Sequence, residues 1–364
     1  MRVILSGGGT GGHIYPALAV AEALRREAGP EGPPELLYVG VRGRMDEQIV
    51  GPSGLPFEAV RAGPLRVRSP LGFARGIANL LLGSAQAWRL LGRFRPDAVF
   101  ATGGYASVPV GLAARARRRP LVVYLPDVRP GWAVRLLARL ATRIATTTER
   151  SLAELPAGKA EGTGYPVRAS FWTANREQAR QQLGLPLDEP VLLVTGASQG
   201  ARRLNSAVAD QLDALLAVCH VVHQTGAADQ AALLGRRAAL PDGQQRRYHV
   251  FAYLDDMAGA MSAADLAVMR AGASTLGELP AAGLPAVLVP GVYEGWDQTP
   301  NARYLEEQGA AVVLENDKLD RLAALVRELL ADEPRRLAMA AAARRLARPD
   351  AARRIAQIVR EAAA

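Results

Sequence analysis

Short apolar runs alternate with helical patterns along the whole chain, and this alternation limits the fold more than any other feature of the sequence. The runs are continuous, which is typical of parallel strands covered by helices on both faces. Six lie in each half: RVILS, LLYVG, FEAV, DAVFATGG, LVVYL and RIATTT, then VLLVTG, CHVVHQTG, YHVFAYL, DLAVMRAG, PAVLVP and AAVVLEND. Each set is sufficient for its own doubly wound α/β fold.

The length of 364 residues also favours two domains. The break is predicted near EGTGYPVRASF, which contains two glycines and a proline. We therefore expect one α/β domain at 1–164 and a second at 165–345. The remaining residues, 346–364, are predicted to be helical after Pro349 and to pack back on the first domain.

Positive charge is concentrated in the first half of the chain. The net charge is +9, yet residues 1–165 carry 22 basic and 12 acidic side chains, whereas residues 166–364 carry 22 and 23. Between Glu58 and Asp97 there is no acidic residue, and apolar side chains are mixed with Arg61, Arg66, Arg68, Arg75, Arg89, Arg93 and Arg95. This composition fits a basic amphipathic helix at an anionic lipid surface, or an ordinary helix with one face in the core.

Several other classes of protein are disfavoured. Cys219 is the only cysteine and lies in an apolar run, so we expect a buried thiol, no internal disulfide and a reducing cytoplasm. No apolar run reaches the length of a membrane-spanning helix, and the start lacks a signal-peptide layout. The low aromatic fraction of 5% and the lack of a recognised module argue against nucleic-acid binding.

The stretch SGGGTGGHIYP places five glycines and His13 between the first strand and a helical pattern. Such a turn lets a phosphate or sugar approach the backbone closely, although the spacing matches neither a dinucleotide fingerprint nor a P-loop. His13 is predicted in the first helical turn, where the positive helix end disfavours the imidazolium. It is therefore a candidate general base, and the alternative is a packing histidine.

The second half contains three further loops between a predicted strand and a predicted helix that could bind a ligand. TGASQGARRLN carries Ser198 and Gln199 into a helix, and RAGASTLGELP places Arg270 and Thr275 where a helix N-terminus would receive a diphosphate. Glu278 follows as a ribose ligand or as the acid of a capping box with Thr275. WDQTPN carries compact polar residues that suit sugar hydroxyls, or that form a turn capping the next helix: Asp297, Gln298 and Asn301.

No metal site is predicted, because Asp255 and Asp256 are adjacent and the histidines show no ligand spacing. His220 and His223 lie at a predicted strand and are interpreted as structural. We expect the two domains to face each other across a cleft, with an activated nucleotide donor on one side and an acceptor on the other. Helix N-termini and Arg270 would then stabilise the leaving diphosphate.

In these motifs the chain resembles the MurG glycosyltransferases, which have the GT-B fold of two Rossmann-like domains. The resemblance covers nearly the whole chain and is carried by seven motifs in order: GGGTGGHIYPALAVAEAL, ATGGYASVPVGLAA, GYPVR, TGASQGARRLN, YLDDM, RAGASTLGELPAAGLPAVLVP and WDQTPNA. It implies inverting, metal-independent transfer of N-acetylglucosamine from UDP-N-acetylglucosamine to the C4 hydroxyl of the muramoyl unit of lipid I. The product would be lipid II for the cell wall, made at the cytoplasmic face of the membrane without a cofactor.

The resemblance also implies roles for individual residues. His13 would be the base, with Thr10, Gly11 and Gly12 at the donor diphosphate and the acceptor. A second glycine loop, with Gly103, Gly104 and Tyr105, would face the acceptor diphosphate. Leu254 would meet uracil through its backbone and Glu278 the ribose. The nucleotide side would be lined by Arg168, Ser198, Gln199, Arg270 and Thr275. Asp297 and Gln298 would bind the sugar hydroxyls, and Asn301 would support their loop.

One loop departs from the family pattern. Many relatives carry His-Glu-Gln-Asn where this chain has Tyr124, Leu125, Pro126 and Asp127. Because that loop lies on the acceptor side in the family, a related transferase with another glycolipid acceptor is an alternative, and Asp127 would be an auxiliary polar group. A UDP-N-acetylglucosamine 2-epimerase and a non-catalytic nucleotide-sugar binding protein are further alternatives. The basic apolar stretch at 65–95 argues against the epimerase.

Overall fold

A computed structural model describes residues 1–27, 32–63, 69–197, 200–293 and 296–364. The chain forms two compact units. The first comprises Met1–Val167 with Arg348–Ala364, and the second Arg168–Ala347. Each unit has a sheet in which every strand pairing is parallel, so the predicted α/β class with two doubly wound domains is confirmed.

The first unit contains a seven-stranded sheet of order β3-β2-β1-β4-β5-β6-β7. Its strands are β1 (Arg2–Ser6), β2 (Glu35–Gly40), β3 (Phe57–Ala59), β4 (Ala98–Ala101), β5 (Leu121–Leu125), β6 (Arg143–Thr146) and β7 (Ala160–Gly162). The central strands β1, β4 and β5 are almost fully buried, as their continuous apolar sequences require. The short edge strand β7 overlaps the segment that the sequence indicated to be a domain break. It was not predicted, because its residues Ala-Glu-Gly have low strand propensity.

Within the described part of this unit, five helices connect the strands: α1 (Gly11–Arg26), α2 (Met45–Val50), α3 (Pro70–Phe94), α4 (Ser107–Ala116) and α5 (Trp132–Leu140). Two 3₁₀ turns lie at Gly51–Ser53 and Glu149–Glu154. The reversal of strand order on either side of β1 brings the loops after β1 and β4 together at the carboxyl edge of the sheet, where α/β proteins bind ligands.

The second unit contains a six-stranded sheet of order β10-β9-β8-β11-β12-β15 and a two-stranded hairpin. Its strands are β8 (Val191–Thr195), β9 (His220–Gln224), β10 (Tyr248–Phe251), β11 (Leu266–Met269), β12 (Ala286–Leu288), β13 (Val292–Tyr293), β14 (Trp296–Asp297) and β15 (Ala311–Val313). The antiparallel pair β13 and β14 occupies the stretch that the sequence pattern indicated to be a loop.

Eleven helices cover this sheet in the described residues of the second unit, with a 3₁₀ turn at Asn316–Arg321. They are α6 (Ser170–Thr173), α7 (Arg176–Leu183), α8 (Arg202–Asp210), α9 (Leu212–Leu216), α10 (Ala227–Ala238), α11 (Asp242–Gln245), α12 (Met257–Ala263), α13 (Thr275–Ala282), α14 (Thr299–Glu307), α15 (Leu322–Ala331) and α16 (Glu333–Leu346).

The last helix, α17 (Ala351–Ala363), belongs to the first unit and packs against α1. Its apolar side chains at Ile355, Ile358 and Val359 are fully buried there. Arg354 forms a bidentate ion pair with Glu161, at 2.5 and 2.7 Å, which holds the helix beside β7. Helix α17, from the end of the chain, thus packs on the sheet of the first unit.

Helix α3 leaves large apolar side chains in solvent. Leu71 is 81% exposed and Leu81 66%, and the other large apolar side chains exposed on this helix are Phe73, Ile77, Leu82 and Trp88. In the described part of the chain no helix is long and apolar enough to span a membrane. Exposed apolar side chains in such number on one helix indicate a contact surface and not a core-facing helix alone.

Candidate functional site

The glycine-rich turn of the first unit joins β1 to α1, and its geometry depends on Thr10 and Gly12. The backbone carbonyl of Thr10, the residue before the helix, accepts from the N–H groups of His13 and Ile14. Pro16 lies inside the helix and has no N–H to donate to the carbonyl of Gly12. The hydroxyl of Tyr165 donates to that carbonyl instead, at 3.3 Å. The turn is therefore tied to the end of the first unit.

His13 and Thr102 are joined by two hydrogen bonds. The Nδ1 atom of His13 lies 2.7 Å from the carbonyl oxygen of Thr102, and Oγ1 of Thr102 donates to the carbonyl oxygen of His13 at 2.6 Å. A carbonyl oxygen only accepts, so Nδ1 carries the proton and Nε2 is left as the acceptor. The half-buried imidazole is thus held in the tautomer that a general base requires.

The second glycine loop, after β4, packs directly on the first. Gly103 and Gly104 have φ of 101° and 80°, in the region that side-chain-bearing residues rarely adopt. A Cβ on Gly104 would lie 2.1 Å from the carbonyl oxygen of Gly8, so no larger residue fits between the loops. Tyr105 follows with its side chain 41% exposed. The predicted residues of the first unit therefore converge on one edge of its sheet.

Asp46 at the start of α2 belongs to the same site and was not predicted from the sequence. Its Oδ1 accepts from the N–H of Gly9 at 3.1 Å and its Oδ2 from the N–H of Val41 at 3.0 Å. The side chain is buried, which raises the pKa of Asp46, while the two N–H donors and nearby His13 oppose that rise. Asp46 thus fixes the glycine turn through a buried carboxylate.

Tyr124 and Asp127, the first and last residues of the run that departs from the expected family pattern, lie in β5 and in the loop that follows it. Tyr124 is fully buried, and its hydroxyl bonds to Oγ1 of Thr147 at 2.6 Å and to the carbonyl of Gly164 at 3.3 Å. Burial raises the pKa of Tyr124 well above its ordinary value, so the hydroxyl stays neutral. Asp127 is half-buried two residues after the strand. The phenol therefore serves the packing of this loop, and Asp127 is the ionisable residue beside the site.

In the second unit, Gln224 connects two loops at the carboxyl edge of the sheet. Its Nε2 donates to Oγ1 of Thr195 at 3.2 Å and to the carbonyl of Ala197 at 3.1 Å. Its Oε1 accepts from the N–H of Leu254 at 2.9 Å. The amide of Leu254 is therefore already engaged, and its carbonyl is the backbone group left for a ligand. The predicted residues Ser198 and Gln199 lie outside the described residues.

Arg270 and Thr275 flank the turn that leads into α13. The guanidinium of Arg270 is 6% exposed and donates to Oδ1 of Asn316 at 2.8 Å and to the carbonyl of Val289 at 3.1 Å. Thr275 donates from its hydroxyl to the carbonyl of Gly272 at 2.6 Å. Both side chains brace the loop, and the N–H groups of Thr275, Leu276 and Gly277 donate to carbonyls of the preceding turn. The anion-receptive feature of this turn is therefore the positive end of the α13 dipole.

The capping-box interpretation of Thr275 and Glu278 is wrong. The residue before α13 is Ser274, and the hydroxyl of Thr275 bonds to Gly272 instead of capping the helix. Glu278 is 9% exposed, and this burial raises the pKa of its carboxyl group. A hydrogen bond with Ser274 and the positive charge of Arg168 oppose the rise in pKa. The guanidinium of Arg168 also lies 5.7 Å from the ring centroid of Phe171. The second unit thus brings Arg168 and Glu278 together.

The residues predicted to bind sugar hydroxyls occupy β14 and the start of α14. Gln298 is 2% exposed, and its Oε1 accepts from the N–H of Gly291 at 2.8 Å. Asn301 is equally buried and donates to the carbonyl of Ala271 at 3.1 Å. Asp297 is exposed and accepts from the N–H of Thr299. Asp297 is therefore the accessible member of the three, whereas the two amides hold the loop.

The remaining ionisable candidates are structural. Cys219 is fully buried, and burial raises the pKa of its thiol to about 12. His223 lies between Tyr248 and Asn205, and burial lowers its pKa to about 3. The pKa of His249 is lowered to about 4, mainly by burial and to a smaller extent by the neighbouring His220. In the described ranges no three side chains of His, Cys, Asp or Glu are arranged to hold a metal ion.

Comparison with known proteins relates both units to one family. Residues 3–146 match the Glycosyltransferase family 28 N-terminal domain, and residues 191–355 match the Glycosyltransferase family 28 C-terminal domain. A Roseiflexus sp. (strain RS-1) relative is 43% identical over 365 residues, covering 86% of this chain and 82% of the relative. That protein is named UDP-N-acetylglucosamine–N-acetylmuramyl-(pentapeptide) pyrophosphoryl-undecaprenol N-acetylglucosamine transferase.

Solved structures agree in fold. The crystal structure of Acinetobacter baumannii MurG superposes with a TM-score of 0.74 at 27% identity, covering 99% of both chains. The UDP-GlcNAc 2-epimerase from Neisseria meningitidis superposes with a TM-score of 0.72 at 14% identity, covering 99% of this chain and all of the other. At that identity the epimerase supports a common fold alone.

Proposed function

Because the chain is a glycosyltransferase of family 28 and belongs to its MurG family, we propose that it converts lipid I into lipid II. N-acetylglucosamine passes from UDP-N-acetylglucosamine to the C4 hydroxyl of the muramoyl unit, with inversion and without a metal ion. The observation that carries this proposal is the fixed imidazole of His13, whose Nδ1 donates to the carbonyl of Thr102.

The chemistry is a single displacement. Nε2 of His13 takes the proton from the acceptor hydroxyl, and that oxygen attacks the anomeric carbon of the donor. The bond from this carbon to the diphosphate oxygen breaks, and UDP leaves with the bonding electrons. The turn from Thr10 to Gly12 offers backbone N–H groups to the diphosphate, and an ordered imidazole lowers the entropy cost of reaching the transition state.

The second unit holds the donor in this proposal. The carbonyl of Leu254 accepts the uracil N–H, and Glu278 binds the ribose hydroxyls. The helix starts of α8 and α13 receive the diphosphate, near the positive charges of Arg168 and Arg270. Ser198 and Gln199, which precede α8 in the sequence, line the nucleotide side in this proposal. The exposed carboxylate of Asp297 contacts sugar hydroxyls, and Gln298 and Asn301 hold its loop.

The first unit holds the acceptor. The loop with Gly104 and Tyr105 faces the acceptor diphosphate, because paired glycines leave backbone N–H groups accessible. Asp127 contacts the acceptor sugar or peptide from the loop after β5, which Tyr124 packs against. The replacement of the usual family run by these residues favours one second candidate, a transferase of the same donor that acts on a different glycolipid.

Helix α3 supports a peripheral position at the cytoplasmic face of the cell membrane. Leu71, Phe73 and Leu81 project from it into solvent, and arginines lie on the same helix. Apolar insertion together with attraction to anionic headgroups is the usual basis of such binding. The acceptor is itself lipid-linked, so an enzyme at this surface meets its substrate there, alongside other proteins of cell-wall synthesis.

UDP release in the presence and absence of a soluble lipid I analogue tests the proposal. We expect release from UDP-N-acetylglucosamine only when the analogue is present. Formation of UDP-N-acetylmannosamine without acceptor would instead identify the 2-epimerase. Binding of UDP-N-acetylglucosamine with no turnover under either condition would identify a nucleotide-sugar binding protein.

A further inference from the structure

The C-terminal ends of α3 and α4 line an open surface cavity of about 410 Å³ in the first unit. Its charged lining consists of Arg95, Arg117, Arg118 and Arg119, and the lining includes no acidic residue. We name this feature the arginine cavity. It lies where the chain enters β4 and β5, at the sheet edge opposite the glycine loops. It is therefore separate from the catalytic residues proposed above.

Arg117 is fixed in place before any ligand arrives. Its guanidinium carbon lies 4.1 Å from the ring centroid of Trp88, and its Nε donates to the carbonyl of Trp88 at 2.7 Å. Gly92 makes the room, because a Cβ there would lie 2.5 Å from Nη2 of Arg117. A glycine inside a helix costs about 1 kcal/mol relative to alanine. The sequence thus accepts a weaker helix where this guanidinium packs.

Two other arginines of the cavity have unusual backbone conformations. Arg95 and Arg118 have φ of 52° and 54° and follow the ends of α3 and α4. The left-handed region costs a side-chain-bearing residue roughly 1–2 kcal/mol, and glycine is the usual choice after a helix. Three non-glycine residues of the described chain have positive φ, and two of them line this cavity. Such outliers concentrate at functional positions.

The charges of the cavity are not balanced by the protein. In the described residues none of its four arginines has a carboxylate within ion-pair distance, and the acidic residues that come first in sequence on either side of α3, Glu58 and Asp97, have other partners. Asp97 accepts from the backbone N–H of Arg2, and Glu58 pairs with Arg93. The negative ends of two helices favour a cation each, whereas the lining carries four arginines, of which Arg95 and Arg118 are exposed to solvent.

We propose that the arginine cavity binds a phosphate group. Guanidinium groups donate paired hydrogen bonds that match phosphate oxygens, and a stacked, oriented arginine loses little entropy on binding. The cavity volume falls in the range of small-ligand sites. A soluble diphosphate and the phosphate of a lipid headgroup share this chemistry, and the exposed apolar face of α3 belongs to the helix that forms one wall.

Calorimetric titration with inorganic pyrophosphate tests the proposal. We expect Arg118→Gln to weaken binding about tenfold, because charge-assisted hydrogen bonds are lost. Arg115→Gln is the matched control, since it removes the same charge from an exposed position on α4 outside the lining. Pyrophosphate bound at the glycine loops contributes equally to both variants, so their difference isolates the cavity.

Gly92→Ala provides a variant that keeps every charge. The new methyl group displaces the guanidinium of Arg117 from Trp88, whereas alanine raises the helix propensity of α3. We expect weaker pyrophosphate binding with an unchanged or higher melting temperature. The proposal is overturned if wild type, Gly92→Ala and Arg118→Gln bind pyrophosphate with equal affinity and also bind phosphatidylglycerol vesicles equally.

Flotation with phosphatidylglycerol and phosphatidylcholine vesicles distinguishes the sources of phosphate. Loss of phosphatidylglycerol binding in Gly92→Ala and Arg118→Gln, but not in Arg115→Gln, assigns the cavity to a lipid headgroup. If these two variants lose affinity for pyrophosphate but still bind the vesicles, the arginine cavity is assigned to a soluble phosphate. If Arg115→Gln weakens binding as much as Arg118→Gln in both measurements, attraction is diffuse and the proposed site is wrong.

Discussion

His13 and Thr102 hold each other through a side-chain hydrogen bond in each direction, at 2.7 and 2.6 Å. His13 lies in the first turn of α1, which follows β1, and Thr102 directly follows β4, the neighbour of β1 in the sheet. Because the imidazole donates through Nδ1 to a carbonyl, Nε2 is the nitrogen left to accept a proton. The position and the tautomer of the proposed base are therefore fixed by the same contact.

Replacing His13 tests its role as the base. We expect His13→Ala to lower kcat by roughly 10²–10⁴-fold, the usual contribution of general base catalysis. UDP binding, assigned to the second unit, should remain unchanged in calorimetry. Thr102→Val is the companion variant, since it removes the hydroxyl but keeps the carbonyl that orients the ring, and its loss should be smaller. Near-normal turnover of His13→Ala would exclude this residue from the chemistry.

Gln224 is expected to position the uracil-binding backbone. Gln224→Met keeps the volume but removes the hydrogen bonds to Thr195, Ala197 and Leu254. We expect KM for UDP-N-acetylglucosamine to rise about tenfold, with a smaller change in kcat. Gln181→Met, at an exposed position on α7, serves as the control. An unchanged KM, or an equal fall in kcat, would contradict a positioning role.

The histidines of the second unit predict a loss of stability in acid. Burial lowers the pKa of His223 to about 3 and that of His249 to about 4, below the ordinary value near 6.5 of the unfolded chain. The unfolded state then binds more protons below about pH 6.5, so stability is complete above that pH and falls towards pH 4.

The urea midpoint, measured between about pH 7 and pH 4.5, checks this expectation. His249→Gln should show a shallower fall than the wild type, because one group that takes up a proton on unfolding is gone. His13→Gln, in the first unit, is the comparison. Parallel curves for the wild type and His249→Gln would show that His249 is protonated in the folded protein.

Exposed leucines of α3 are expected to insert into the membrane. Leu81→Ser should weaken binding to phosphatidylglycerol vesicles about fivefold, since part of a leucine side chain no longer leaves water. Leu337→Ser is the matched control, because Leu337 is 61% exposed on α16 and Leu81 is 66% exposed. Similar losses in both variants, or none in Leu81→Ser, would exclude α3 as the membrane contact.

The sequence predicted the features that local pattern encodes. Continuous apolar runs indicated parallel strands, and a glycine turn between a strand and a helix placed His13 at the carboxyl edge of the first sheet. Asp46 was not found, because it bonds to Gly9 from 37 residues away and lies in a charged segment typical of an exposed helix. Gln224 was missed for a similar reason, since its strand position indicated a core residue.

Side-chain orientation was the other limit. The spacing of Thr275 and Glu278 suggested a capping box, but the chain turns into α13 one residue earlier, at Ser274. Gln298 and Asn301 have the polarity of sugar ligands, yet the fold turns both amides onto backbone groups. Which polar residues hold a loop and which face a ligand depends on tertiary contacts that spacing does not encode.

Transfer of radiolabel from UDP-N-acetylglucosamine to a panel of lipid-linked acceptors tests the central claim most directly. The panel includes a lipid I analogue, the same molecule without its C4 hydroxyl, and glycolipid diphosphates that lack the muramoyl peptide. We expect a labelled disaccharide lipid from the lipid I analogue alone. Equal labelling of the 4-deoxy analogue or of another glycolipid, or label that remains in a nucleotide sugar, would contradict it.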